Sequence, residues 1–173
     1  MKRLTLLRHA KATKESSYRD FDRPLTRQGR EDAARIGALM AAQAIAPDLA
    51  LCSPAARTRA TLERAASQLK SPPESLFSER LYDAFPADIL AEIRAAPETA
   101  SHLLVVGHNP GLHALALALV DRERSRTEMV GELADNFPPG ALAQFAFRDK
   151  TWALIDLGGG ALSFYASPAA LRD

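Results

Sequence analysis

A short apolar run, Leu4 to Leu7, is followed at once by Arg8 and His9. Leu-Thr-Leu-Leu has the length and composition of a buried strand, and a guanidinium followed by an ionisable imidazole is a poor continuation for one. Side chains alternate along a strand, so Arg8 and His9 would face opposite sides of a sheet if the strand ran on. Both serve one site only where the chain leaves the sheet at the strand's carboxyl end. In open α/β sheets that edge is where ligands bind.

The same pattern returns twice. Asp48 to Cys52 is a second apolar run and leads into Ser53-Pro54; His102 to Val106 is a third and leads into Gly107-His108-Asn109-Pro110. Ser-Pro and Asn-Pro each read as a helix start, with the polar residue as N-cap and proline in the first turn. Helices are predicted over 27–44 behind an N-cap at Thr26, from Pro54 to about Leu69, over 87–95 and over 111–121. Leu76-Phe77 is too short to assign, and residues 122–139 read as a surface excursion. Ala141–Phe147 and Trp152–Leu157, joined by Arg148-Asp149-Lys150, read as an antiparallel hairpin, with Gly158–Gly160 a flexible entry to the tail. Three strand–helix units and a hairpin predict an α/β fold. The expected architecture is a three-layer α/β/α sandwich whose mainly parallel central sheet carries an antiparallel addition at one edge. At 173 residues the chain is read as one domain over 1–173.

Composition narrows the function classes. A net charge of +1 gives no reason to expect nucleic acid or an anionic membrane as partner. The longest apolar stretch, Leu112 to Val120, contains His113 and is about half of the roughly 20 residues needed to span a bilayer. Cys52 is the only cysteine, so no internal disulfide forms, and the Met-Lys-Arg start runs straight into a strand without a leader pattern. A reducing, cytoplasmic location is expected.

Three successive strand ends therefore carry Arg8 and His9, then Arg57, then His108 beside Asn109. Two guanidiniums, two imidazoles and helix amino termini at one edge suit a tetrahedral dianion. Guanidinium forks bind phosphate oxygens bidentately, and helix starts add N–H donors. A histidine with a pKa near neutrality serves as nucleophile, donor or base. Lys11 is a further candidate for holding phosphate. No Asp, Glu and His cluster has ligand spacing, so no metal or other cofactor is expected. His102 and His113 read as structural, Cys52 as a small core residue, and Gly158–Gly160 lacks the Lys-Ser/Thr of a P-loop.

Leu6-Leu7-Arg8-His9-Ala10-Lys11, Ser53-Pro54-Ala55-Ala56-Arg57-Thr58 and Val106-Gly107-His108-Asn109-Pro110 resemble the histidine phosphatase superfamily, which includes cofactor-dependent phosphoglycerate mutase. The match runs from residue 3 to about 113, and the last third follows only as a strand pair. The commoner motif is Arg-His-Gly; Ala10 departs from it toward the short phosphohistidine phosphatase branch typified by SixA. The resemblance implies a phosphoglycerate mutase-like fold and a metal-independent phosphatase in which His9 attacks phosphorus and becomes a phosphohistidine. Arg8, Arg57 and His108 would surround the equatorial oxygens. Glu79-Arg80-Leu81-Tyr82 resembles the Glu-Arg-X-Tyr segment that carries the proton donor in related mutases, which makes Glu79 the candidate general acid, with Asp83 and Asp22 as rivals. An imidazole leaving group needs little such help.

The expected substrate is a phosphorylated protein, such as a histidine phosphotransfer domain, because a short chain has few residues for insertions that would enclose a metabolite. A small-molecule phosphomonoesterase or mutase of the same fold is the alternative, though a mutase would need a lid segment. A non-catalytic phosphate-recognition module is the other, and it has no reason to keep a nucleophile at position 9.

Overall fold

The apolar run at the start becomes β1 (Lys2–Arg8), and the whole sheet is laid out on either side of it. The computed structural model describes residues 1–148 and 151–172. β1 pairs in parallel with β4 (His102–Gly107), which pairs with β2 (Leu49–Cys52), which pairs with β3 (Glu74–Phe77). On its other side β1 pairs antiparallel with β5 (Leu142–Phe147), and β5 with β6 (Ala161–Ala166), giving a six-stranded sheet in the order β3-β2-β4-β1-β5-β6. The parallel sheet with an antiparallel edge is as expected.

Strand alternation sorts the helices into two layers. Leu4, Leu6, Leu51, Leu103, Val105, Ala143 and Phe145 face α3 (Pro86–Arg94), α4 (Gly111–Leu119) and α5 (Thr127–Asp135) in one buried core. Leu7, Ala50, Cys52, Leu104, Val106 and Leu142 face α1 (Arg27–Ala42) and α2 (Ala56–Ala66) in the other. His102 enters the second face fully hemmed in, with Nε2 2.8 Å from the Thr5 hydroxyl, and burial lowers its pKa to about 4. His113 in α4 has Nε2 2.7 Å from the Leu133 carbonyl and stacks on Phe137. Both histidines are structural, as expected, and so is Cys52, whose thiol burial pushes up to about 12.

Thr26 caps α1 as expected, its hydroxyl accepting from the Gly29 N–H at 3.0 Å. The other two helix starts differ from the sequence reading. α2 begins only at Ala56, behind Ala55, and α4 only at Gly111, behind Pro110; neither Ser53 nor Asn109 caps. Tertiary hydrogen bonds take those two side chains instead, as described below. The stretch read as a surface excursion contains α5, whose Val130 and Leu133 are buried and which leads to the fully buried Phe137. Its apolar positions are too few to show a periodicity among the flanking charges.

The hairpin is also displaced. Trp152–Leu154 is a single 3-10 turn, not a strand, because Trp152 turns inward to donate its indole N–H to the Ala100 carbonyl and lies under Lys2. The strand partner of β5 is β6, beyond the three glycines, and Gly160 bridges to Val120 where a loose tail entry was expected. Of the expected linker, Asp149 and Lys150 lie outside the described residues. Among the described residues no helix is long and apolar enough to cross a membrane.

α1 and α2 touch backbone to backbone at Gly37: a Cβ there would lie 2.4 Å from the Ala65 carbonyl oxygen. Gly37→Ala is expected to cost about 1–3 kcal/mol by overpacking, read as a lower urea midpoint at unchanged slope. Gly131→Ala in α5, where a Cβ meets nothing within 4 Å, is expected to hold or raise that midpoint.

Candidate active site

Arg8 is the last residue of β1, and the chain turns out of the sheet at the next peptide. The His9 N–H donates to the Gly107 carbonyl, and the Gly140 N–H reaches back to the carbonyls of Arg8 and His9 at 3.1 and 2.9 Å. Gly140 does this at φ +81°, in the left-handed region, and a Cβ there would meet Pro168 at 2.7 Å. Ala10 is absent from the positive-φ positions and fully buried. Its N–H donates to the Thr61 hydroxyl at 3.0 Å, and that same hydroxyl donates to the Arg57 carbonyl at 2.7 Å.

The three strand ends meet in one cavity of about 850 Å³, lined by Arg8, His9, Arg57, His108 and Asn109 together with Lys11, Arg23, Asp20 and Asp83. His9 is almost fully buried, with Nδ1 2.7 Å from the Ala10 carbonyl. A carbonyl only accepts, so Nδ1 carries the hydrogen and Nε2 keeps its lone pair. Burial, reinforced by the charges of Arg57, Arg8 and Arg23 and opposed by the Ala10 hydrogen bond, lowers the His9 pKa to about 4. His108 lies 5.4 Å away, ring to ring, and burial with Arg57 beside it lowers its pKa to about 3. Both imidazoles are therefore neutral near pH 7. For His108, desolvation is the largest of these influences.

Ser53 is a site residue that the sequence reading used for another purpose. Its hydroxyl sits 2.8 Å from His108 Nε2, leaving His108 Nδ1 buried without a partner. Arg8 donates from Nη1 to the Phe137 carbonyl at 3.1 Å, and Asn109 donates its amide to the same oxygen at 2.9 Å. Nε of Arg8 and of Arg57 are likewise buried and unpartnered. Burial works against the Arg8 charge and lowers its pKa. Orphaned polar atoms grouped in one cavity are unusual in a folded protein and mark the place where a ligand completes them.

Asp20 is the other residue that the sequence did not single out. Its backbone carbonyl accepts from Arg57 Nη1 at 2.6 Å, and its carboxylate accepts from Arg57 Nη2 at 3.1 Å, from Arg23 at 2.8 Å and from the Tyr82 hydroxyl. The Tyr82 bond, with the two arginines, holds Asp20 down to about 2, so it is ionised throughout. This carboxylate binds the loop before α1 onto the Arg57 guanidinium. Its only signal in the sequence is an acid among Arg19 and Arg23 in an unpatterned loop, which is the usual appearance of solvated charge.

The carboxylates proposed as proton donors separate. Glu79 is exposed on a 3-10 turn, Glu79–Leu81, and does not line the cavity. Asp22 is paired with Arg19 at 2.7 Å. Asp83 lines the cavity, 4.0 Å from Arg57, with its backbone at φ +47°. Lys11 lines the cavity from an exposed position, and its carbonyl receives the Thr26 N–H. Among the described residues no group of three or more His, Cys, Asp or Glu is arranged to hold a metal ion.

Residues 4–86 match the family model of the histidine phosphatase superfamily, branch 1. An uncharacterized protein of Mycobacterium tuberculosis strain H37Rv is 33% identical over 162 residues, covering 94% of this chain and 99% of that one. A structure assigned as the phosphohistidine phosphatase SixA of Nakamurella multipartitia superposes with a TM-score of 0.84 at 32% identity, covering 96% of each chain. One assigned likewise from Agrobacterium tumefaciens gives 0.80 at 30% identity, covering 96% of this chain and 98% of that one. With the sheet order and the convergence of the three strand ends, these likenesses make the chain a phosphatase that belongs to the histidine phosphatase superfamily, in its SixA-type branch.

Proposed function

We propose that this phosphatase removes phosphoryl groups from phosphohistidine in proteins, through a covalent intermediate on His9. One observation carries the choice of nucleophile: the His9 Nδ1–H is committed to the Ala10 carbonyl, so Nε2 presents a lone pair into a cavity ringed by Arg8, Arg57 and His108. A neutral imidazole held in one tautomer is ready to attack without first losing a proton.

In the first half-reaction His9 Nε2 forms a bond to phosphorus, and the bond to the leaving nitrogen or oxygen breaks with its electron pair. Arg8 and Arg57 hold the equatorial oxygens, and His108 donates Nδ1–H to one of them while the Ser53 hydroxyl points its proton at Nε2. Asn109 and Lys11 flank the oxyanion. Phosphoryl transfer depends chiefly on such positioning and charge compensation. A substrate phosphoimidazole protonated on its other ring nitrogen leaves as neutral imidazole, so that step requires no carboxylic acid. In the second half-reaction water attacks phosphorus, the P–N bond to His9 breaks, and phosphate and neutral His9 are restored. An N-linked substrate asks no proton of Asp20, which is ionised, nor of Asp83, which lines the cavity beside Arg57. The kinship with structures assigned as SixA supports the same reading.

His9→Ala is expected to lower turnover of an aryl phosphate by about three orders of magnitude or more, with wild-type turnover persisting in chelator. Wild-type protein quenched without acid should carry an alkali-stable, acid-labile phosphoryl label that maps to His9; turnover undiminished in the variant would remove His9 from the role.

The depressed His9 pKa sets the acid limb. Protonation that silences the nucleophile requires a pH near 4, not 6.5. Corrected for the substrate's own second ionisation near pH 6, kcat/KM is expected to stay level from pH 7 to about 5 and to fall as pH drops through about 4. A loss centred on pH 6.5 would show that His9 is not desolvated.

A further inference from the structure

The exposed apolar side chains are not scattered evenly. Leu154 and Leu157 lie around the turn of Trp152, whose indole meets Ala100 at the amino end of the sheet, away from the cavity. Phe21 and Phe85 instead stand close in sequence to Asp20 and Asp83, two acids that line the cavity. Phe21 follows Asp20 directly and packs edge-on to Tyr82 at 5.3 Å, and Tyr82 in turn packs edge-on to His108 at 5.5 Å. Phe85 stands two residues beyond Asp83 and is 76% exposed, more than any other large hydrophobic side chain among the described residues. Phe77, at the carboxyl end of the edge strand β3, is half exposed, with the Arg59 guanidinium over its ring at 4.0 Å.

We infer that Phe21, Tyr82 and Phe85 form a docking rim for the surface of a folded protein that carries the phosphorylated side chain. This rests on the reading of the substrate as protein phosphohistidine. Phe21 and Tyr82 connect to the reacting centre through the Tyr82–His108 contact, and Phe85 follows Tyr82 by three residues at the start of α3. A phosphoryl group bound between Arg57 and His108 therefore fixes where its carrier must lie. An isolated exposed phenylalanine is ordinary, but exposed aromatics continuous with a reactive site have the composition of an interface core. A free phosphoamino acid ends within the cavity and leaves Phe85 in water. A protein brings its own apolar surface across Phe85, and burying that ring is the gain that only a protein substrate offers.

The test compares three phosphoryl donors: an aryl phosphate, free phosphohistidine, and a histidine phosphotransfer domain phosphorylated with phosphoramidate. Phe85→Ser is the primary variant, because Phe85 takes no part in the cavity. Phe21→Ser is the second, with thermal melting as a check that the Asp20–Tyr82 contact survives. Phe85→Ser is expected to lower kcat/KM for the phosphorylated domain by about tenfold, the usual effect of truncating one well-placed interface aromatic. The loss should fall mainly in KM, with kcat/KM for both small donors unchanged. An unchanged kcat/KM for the domain, or an equal loss on all three donors, overturns the docking rim while leaving the substrate reading intact. Wild-type turnover of the aryl phosphate without turnover of either phosphohistidine donor overturns the substrate reading and the rim together.

Discussion

β1 is hydrogen-bonded on both sides, to β4 in parallel and to β5 antiparallel, and the rest of the molecule depends on that double pairing. A strand so placed has its backbone groups satisfied and both faces covered, so its buried centre carries Leu4, Leu6 and Leu7, with Thr5 admitted through its hydrogen bond to His102. Arg8 and His9 stand at that point. The Arg8 N–H is held by Ala141, the His9 N–H by Gly107, and both carbonyls by the Gly140 N–H. The backbone of the proposed nucleophile is thus fixed by the end of β4 and by the turn that leads into β5, and its ring by the next carbonyl along the chain.

Desolvation then divides the labour among the charged groups. Guanidiniums keep their protons at any working pH, whereas burial beside them strips His9 and His108 of theirs. The site at rest holds fixed positive charge from arginine and uncharged nitrogen from histidine, which is the combination that an anionic electrophile needs. Asp20 keeps this from being an unpaired cluster of like charges, because it engages Arg57, Arg23 and Tyr82 at once. Arg57 is thus oriented by that carboxylate and Arg8 by the Phe137 carbonyl before any phosphoryl group arrives.

Much of this was legible in the residues. Arg8, His9, Arg57 and His108 could be placed at one edge because apolar runs that stop abruptly show where strands end, and strand ends in an α/β sheet share an edge. What stayed hidden depended on distant partners. Ser53 and Asn109 have the local grammar of helix caps, and only the packed structure shows that His108 and the Phe137 carbonyl take them first. Asp20 looked like solvated charge because its partners Arg57 and Tyr82 lie 37 and 62 residues away. Glu79 was suggested by likeness to a motif, yet its turn leaves it outside the cavity. α5 and β6 were obscured for a related reason: short elements in polar or glycine-rich surroundings carry too few alternations to declare a period.

Thr61 has one further consequence. Its hydroxyl receives the Ala10 N–H and gives its own proton to the Arg57 carbonyl, so two segments remote in sequence are separated by a single oxygen atom. The distance between the loop that bears His9 and the helix that bears Arg57 does not accumulate error across the width of the sheet. For the attack proposed for His9, which tolerates little lateral drift, one shared hydroxyl sets the spacing of the two segments that bear His9 and Arg57.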